Sequence, residues 1–251
     1  MPTARVLLLR CLTLLFAFAA IASAQKEASP ATPFYARTNS FGFLIAYSND
    51  SSHILIGQAR QRKILNIGAS YSHRLIANHI VSWQYDGEVL PIAYDSDPME
   101  TQTITITTTN PPDTTTSTYT GPTYDVCKPS SGTATVNGTT YTYVTTCSRR
   151  WVYGGGLSPV GFQWNFLPHG RLQPLLDAHG GFMESLQQIP INYAGTFNFT
   201  FDIGTGFEWY RTQSNSLRFE WRYHHISNKN TAPQNPGIDS GLFQVTYVFG
   251  R

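Results

Sequence analysis

Between Leu217 and Asp239 the chain reads LRFEWRYHHISNKNTAPQNPGID, and its histidine, serine, asparagine and acid stand at spacings that suit attack on an ester. In a strand, alternate residues share a face, so Leu217, Phe219, Trp221 and Tyr223 fall on one side and Arg218, Glu220, Arg222 and His224 on the other. His225 and Ser227 continue the apolar side. Two residues along a strand is roughly 6.6 Å, near enough for an imidazole to take a proton from a hydroxyl. The stretch Asn235-Pro236-Gly237-Ile238-Asp239 then supplies a carboxylate to hold the imidazole, together with an amide side chain and a backbone N–H for a developing oxyanion. His225 as base, Ser227 as nucleophile, Asp239 as third member and Asn235 and Gly237 as oxyanion donors are the parts of a serine esterase. Asn228 is expected to anchor the loop. His224 faces the opposite side from His225, so the pair cannot share one ion and no metal is expected.

Strands must position these residues, and the chain is full of them. Alternation predicts strands at about Phe41–Ser48, Ile64–Leu75, Ile80–Tyr94, Arg149–Phe166, Arg171–Glu184, Phe197–Tyr210, Leu217–Ser227 and Phe243–Phe249. Residues His53–Lys63 suit a strand in one half and a helical turn in the other, and are read as part of a long first loop. From Asp95 to Ser148 the texture changes to threonine, serine, proline and glycine. Thr103–Thr109 and Thr139–Thr146 are β-prone, and the segment has few large apolar residues. It is expected to be an exposed insertion containing a two-stranded extension.

Composition limits what such a chain can be. Charged residues make up 13%, about half of the ~25% usual in soluble domains, while aromatics reach 14%. A net charge of +2, with no basic run interleaved with stacking aromatics, sets nucleic acid aside. Arg5 and Arg10, the uncharged run Cys11–Ile21 and Ala22-Ser23-Ala24 have the layout of a secretory signal peptide over residues 1–24. Cys11 leaves with it. Cys127 and Cys147 remain as an even pair in an oxidising compartment, which is most simply a disulfide.

Eight alternating strands of about ten residues, each with an apolar or aromatic face, are the marks of an all-β fold, an eight-stranded antiparallel transmembrane β-barrel with long extracellular loops. It would occupy residues 25–251, with residues 95–148 as the extracellular insertion. The interior of so small a barrel holds side chains and no pore. With short turns near Pro168 and Gln213 on the inner side, His225 and Ser227 fall at the extracellular end of their strand and point outward. A site that faces the outer leaflet implies a lipid substrate.

At these residues the sequence resembles the outer-membrane lipid A 3-O-deacylases. The resemblance rests on His225-Ile226-Ser227-Asn228 followed by Asn235-Pro236-Gly237-Ile238-Asp239, with support from Asn198-Phe199, Gly204–Gly206 and Arg222, and extends over about Phe197–Phe249. It implies an eight-stranded barrel in the bacterial outer membrane. The implied reaction is hydrolysis of the ester-linked acyl chain at the 3 position of lipid A, the lipid anchor of lipopolysaccharide, without cofactor or metal. Phe199 would line the acyl groove. The family's pattern has glutamate where this sequence has Asp239, one methylene shorter, so a closer approach to the imidazole is required. Two other readings stay open on the sequence: an outer-membrane phospholipase with the same triad, and a non-enzymatic barrel that displays the threonine-rich loop for adhesion.

Overall fold

The computed structural model describes residues 34–51, 53–109 and 111–251, so the signal peptide expected over residues 1–24 lies outside the described residues. The described residues form ten strands: β1 (Asn39–Ser51), β2 (Arg62–Ala77), β3 (Val81–Thr109), β4 (Pro112–Pro122), β5 (Ser130–Val136), β6 (Thr139–Phe166), β7 (Leu172–Ser185), β8 (Phe197–Tyr210), β9 (Asn215–Ser227) and β10 (Ile238–Gly250). Eight of them close a ring in the order β3-β2-β1-β10-β9-β8-β7-β6, with β6 pairing back onto β3 and every contact antiparallel. Closure leaves the barrel wall without a free edge, which lets its strands cross a membrane with their backbone polar groups satisfied.

The faces separate as the alternation requires. Phe41, Phe43 and Ile45 of β1 and Phe243, Val245 and Tyr247 of β10 are exposed on the outer wall, and these two strands pair side by side. Every second residue of β9, from Ser216 through Arg218, Glu220, Arg222 and His224, is buried inside. There the charges are paired, Arg218 with Asp86 (2.9 Å) and Arg222 with Glu88 (2.9 Å), Asp177 (2.7 Å) and Glu220 (3.2 Å), while the His224 ring lies within hydrogen-bond distance of Asp202 (2.5 Å). Such a network shares the buried space with only a small apolar cluster that includes Ile64, Val152, Ile226 and Leu242, because most large apolar side chains are needed outside against lipid.

At one end the connections are short, spanning residues 78–80, 167–171 and 211–214. Beside them Arg37 reaches into the barrel mouth, pairing with Glu208 at 2.8 Å and lying 4.6 Å over the Tyr210 ring, which ties down residues 34–38. At the other end lie the long connections and the site.

The threonine-rich region differs from its expectation in extent. β3 and β6 run on past the barrel, 29 and 28 residues long, and are flanked by β4 and β5 into a four-stranded extension where two strands were expected. β4 takes over from β2 as the neighbour of β3, while β5 takes over from β7 beside β6. Cross-strand hydroxyl pairs such as Thr101–Thr120, Thr103–Thr118 and Thr133–Thr142 hold the sheet, together with the Cys127–Cys147 disulfide at its root. β-branched side chains with matched cross-strand partners make a ribbon without needing a core.

Candidate active site

β9 and β10 build the centre of the site. In their register Asp239 lies directly opposite His225, and Ile238 opposite Ile226. Residues directly opposite each other on one face of a strand pair are close enough for short side chains to meet, and the His225 Nδ1–Asp239 Oδ1 distance is 2.7 Å. The sequence suggested that Asp239 belonged to a loop that must approach. It instead begins β10, and strand pairing supplies the approach that the short side chain requires.

Asp239 is fully buried although it points outward. Besides His225, three donors from two elements saturate it. The Tyr223 hydroxyl, two residues before His225 on the same face, donates to Oδ1 at 2.7 Å, and its ring stacks near that of His225 with centroids 6.5 Å apart. The backbone N–H groups of Leu55 and Ile56 donate to Oδ2 at 2.7 and 2.9 Å. These come from the connection between β1 and β2, the stretch whose state was ambiguous in sequence. Residues 53–61 form a loop that folds down over the outer wall, where Gln58 N–H donates to the Pro236 carbonyl (2.6 Å) and Ala59 N–H to that of Gly237 (3.0 Å). The fit requires Gly57, since a Cβ there would stand 2.5 Å from the Asp239 nitrogen.

Ser227 ends β9 on the same outward face, opposite Phe199 of β8, just as His225 stands opposite Phe201. Its hydroxyl is held by Asn235: it donates to Oδ1 at 3.1 Å and accepts from Nδ2 at 2.9 Å. The Lys229 backbone N–H also donates to it, at 3.1 Å. Among the described residues the structure therefore joins His225 to Asp239 and Ser227 to Asn235. It does not join Ser227 to His225 by a hydrogen bond. Asn228 is buried and organises the loop: its amide donates to the Gln234 carbonyl (2.7 Å), its side-chain oxygen accepts from Asn230 N–H (2.9 Å), and its carbonyl accepts from Thr231. Lys229 and Asn230 both take positive φ, which lets the chain reverse at once after Ser227.

Gly237 also takes a positive φ of 61°, a conformation open to glycine at no steric cost. A Cβ there would come within 3.3 Å of His225 Cε1, so the backbone passes close beside the imidazole. Phe197, Phe199 and Phe201 are exposed on the outer wall of β8, with Phe182 stacked on Phe197 at 5.6 Å. They form an apolar strip next to Ser227 and His225.

Sequence reasoning missed three contributors, Tyr223, Leu55 and Ile56. Tyr223 carried a signal, a hydroxyl-bearing ring in phase with His225. The other two act through backbone N–H groups, which no residue type reveals. Inside the barrel, Asp86, Glu88 and His179 bring ligand-type atoms within 4.8 Å of one another. Arg218 and Arg222 already occupy oxygens of the two acids, and the group lies on the opposite side of the wall from Ser227.

A family model described as lipid A 3-O-deacylase (PagL) matches residues 114–248, which span β4 to β10 and include every site residue except those of the β1–β2 loop. No curated protein sequence matches the chain. Among solved structures, the outer membrane enzyme PagL is similar at 13% identity over 84% of this chain and 99% of its own, with a TM-score of 0.48. Neisserial surface protein A (NspA) is similar at 11% identity over 85% and 97% of the two chains, with a TM-score of 0.44. The outer membrane protein OprG from Pseudomonas aeruginosa is similar at 7% over 87% and 99%, with a TM-score of 0.41. The chain belongs to the lipid A 3-O-deacylase family, outer-membrane enzymes that modify lipid A.

Proposed function

We propose that this protein hydrolyses the ester that links an acyl chain to the 3 position of lipid A, with Ser227 as nucleophile, His225 as general base and then acid, and Asp239 as the residue that holds the imidazole. The observation that carries this reading is the His225–Asp239 pair, set at 2.7 Å on the outward face of β9 and β10 with Ser227 two residues further along that face. The Asp239 contact at Nδ1 leaves Nε2 of His225 as the basic nitrogen. Rotation about the Cα–Cβ bond of Ser227 turns its hydroxyl from Asn235 to that nitrogen. Oγ then attacks the acyl carbonyl as His225 takes the proton, and the imidazolium later protonates the departing sugar oxygen. Water hydrolyses the acyl-enzyme by the same route.

Negative charge develops on the former carbonyl oxygen. The Asn235 amide, already 2.9 Å from Oγ, and the Gly237 N–H are the donors assigned to it; each donor is worth roughly 3 kcal/mol when well placed. The strip of Phe197, Phe199 and Phe201 takes the acyl chain, so the ester is presented from the leaflet without leaving it. No cofactor enters these steps.

Purified protein incubated with lipid A and, separately, with a glycerophospholipid tests the assignment. Release of a 3-hydroxy fatty acid from lipid A alone supports it. Equal release from both lipids would favour a phospholipase with the same triad, and release from neither would leave the barrel as a display scaffold for its extension.

A further inference from the structure

The β1–β2 loop does two things with the same three residues. Its backbone at Leu55 and Ile56 donates to Asp239 Oδ2, while the side chains of Ile54, Leu55 and Ile56 are 40%, 66% and 66% exposed. Single exposed aliphatics are ordinary, but three in succession on a loop need a reason. The loop is a built feature. The His53 ring bonds the Gly57 carbonyl across its base, Ala59 makes a parallel bridge with Ile238, and Gly57 is packed against Asp239.

Its position says what covers those side chains. Asp239 belongs to the outward column of β10 that continues through Phe243, Val245, Tyr247 and Phe249, so the loop that seals it lies on the lipid side of the wall. Phe243, four residues along the strand from Asp239, is itself 71% exposed. That places the loop roughly 13 Å along the strand from a residue of the apolar belt. The nearest apolar medium is the upper acyl region of the leaflet.

Resting on the esterase reading above, we propose that Ile54, Leu55 and Ile56 are a lipid-anchored clamp. Their side chains insert among outer-leaflet acyl chains, and that anchorage holds the Leu55 and Ile56 N–H groups on Asp239. These are positioning residues, acting on His225 through the carboxylate. Each inserted aliphatic side chain is stabilised by transfer out of water, and withdrawal of the loop would open Asp239 to water and loosen the orientation of the imidazole.

Two measurements on the full-length barrel in phosphatidylcholine vesicles test this. The first places a nitroxide on Leu55→Cys and compares collisions with oxygen, which concentrates in lipid, and with a water-soluble nickel chelate. Oxygen collisions in excess are expected, and collisions dominated by the chelate would overturn the proposal. The second follows hydrolysis of a water-soluble short-chain ester by an Ile54→Ser/Leu55→Ser/Ile56→Ser variant, which keeps all three backbone N–H groups. kcat is expected to fall at least tenfold although this ester does not need the leaflet, with recovery in Ile54→Leu/Leu55→Ile/Ile56→Leu. An unchanged kcat, with only a higher KM for lipid A, would mean that the side chains merely line the acyl groove and would overturn the clamp. If the wild type hydrolyses no ester at all, the esterase reading falls, and the nitroxide depth alone decides whether the loop inserts.

Discussion

Asp239 is the shorter of the two acids that can orient a catalytic imidazole, and its reach is restored by placing it in a strand directly opposite His225. Its two oxygens have separate duties: Oδ1 meets His225 and the Tyr223 hydroxyl, and Oδ2 meets the loop. Removing the Tyr223 hydroxyl leaves the pair intact but less constrained. Tyr223→Phe is therefore expected to lower kcat by about fivefold to tenfold, the worth of one hydrogen bond of about 1 kcal/mol, with KM for lipid A unchanged in a steady-state assay. Asn235, as the proposed oxyanion donor, would act on the charge itself. Asn235→Ala is expected to cost on the order of 10²–10³ in kcat, and a loss under tenfold in the same assay would remove it from the oxyanion hole. At this scale the shared outward face of His225 and Ser227 was legible, because strand alternation gives each side chain a face, whereas Asp239 was read as a loop residue and comes opposite His225 through the pairing of β9 and β10. The backbone donors of Leu55 and Ile56 were not legible, because an N–H carries no signature in residue type.

The barrel strands were legible as elements for the same reason. A strand between lipid and a polar interior must alternate, and Phe197–Tyr210 does so over its whole length. β4 and β5 gave no such pattern. Their side chains are mostly threonine and serine on both faces, exposed on both, so nothing in the order of residue types marks an inside. The 53–61 loop was ambiguous because Ile54, Leu55 and Ile56 are exposed and serve neither a core nor a strand face. The extension depends on its own links. The Cys127–Cys147 disulfide closes a separation of 20 residues, a loop size for which a cross-link contributes about 3 kcal/mol. Cys147→Ser is accordingly expected to expose the extension to cleavage by added protease within residues 110–138 while the barrel stays intact on a heat-modifiability gel. Protection equal to the wild type would show that the threonine ladders suffice.

The molecule as a whole reverses the usual arrangement, with its apolar surface outside and its charges inside. Arg222 is the centre of that interior, touching Glu88, Asp177 and Glu220. Breaking a buried pair by removing one partner costs about 3–5 kcal/mol, since the remaining charges are left uncompensated. Arg222→Met is expected to lower the stability of the refolded barrel by that order in urea titrations in vesicles, and an unchanged midpoint would contradict the structural role given to the network. The same reversal explains why the site is on the wall. In the proposed reading the ester of a leaflet lipid arrives from the side, which suits the place of Ser227 on the outward face, between the aromatic strip of β8 and the loop that covers Asp239.

Mass spectrometry of lipid A from cells that express the wild type or Ser227→Ala reads the central assignment most directly. Loss of one 3-hydroxyacyl chain from lipid A in wild-type cells, and none in cells carrying a folded and inserted Ser227→Ala barrel, is the expected result. Unmodified lipid A in both, or the same loss in both, would contradict Ser227 as the nucleophile of a lipid A deacylase.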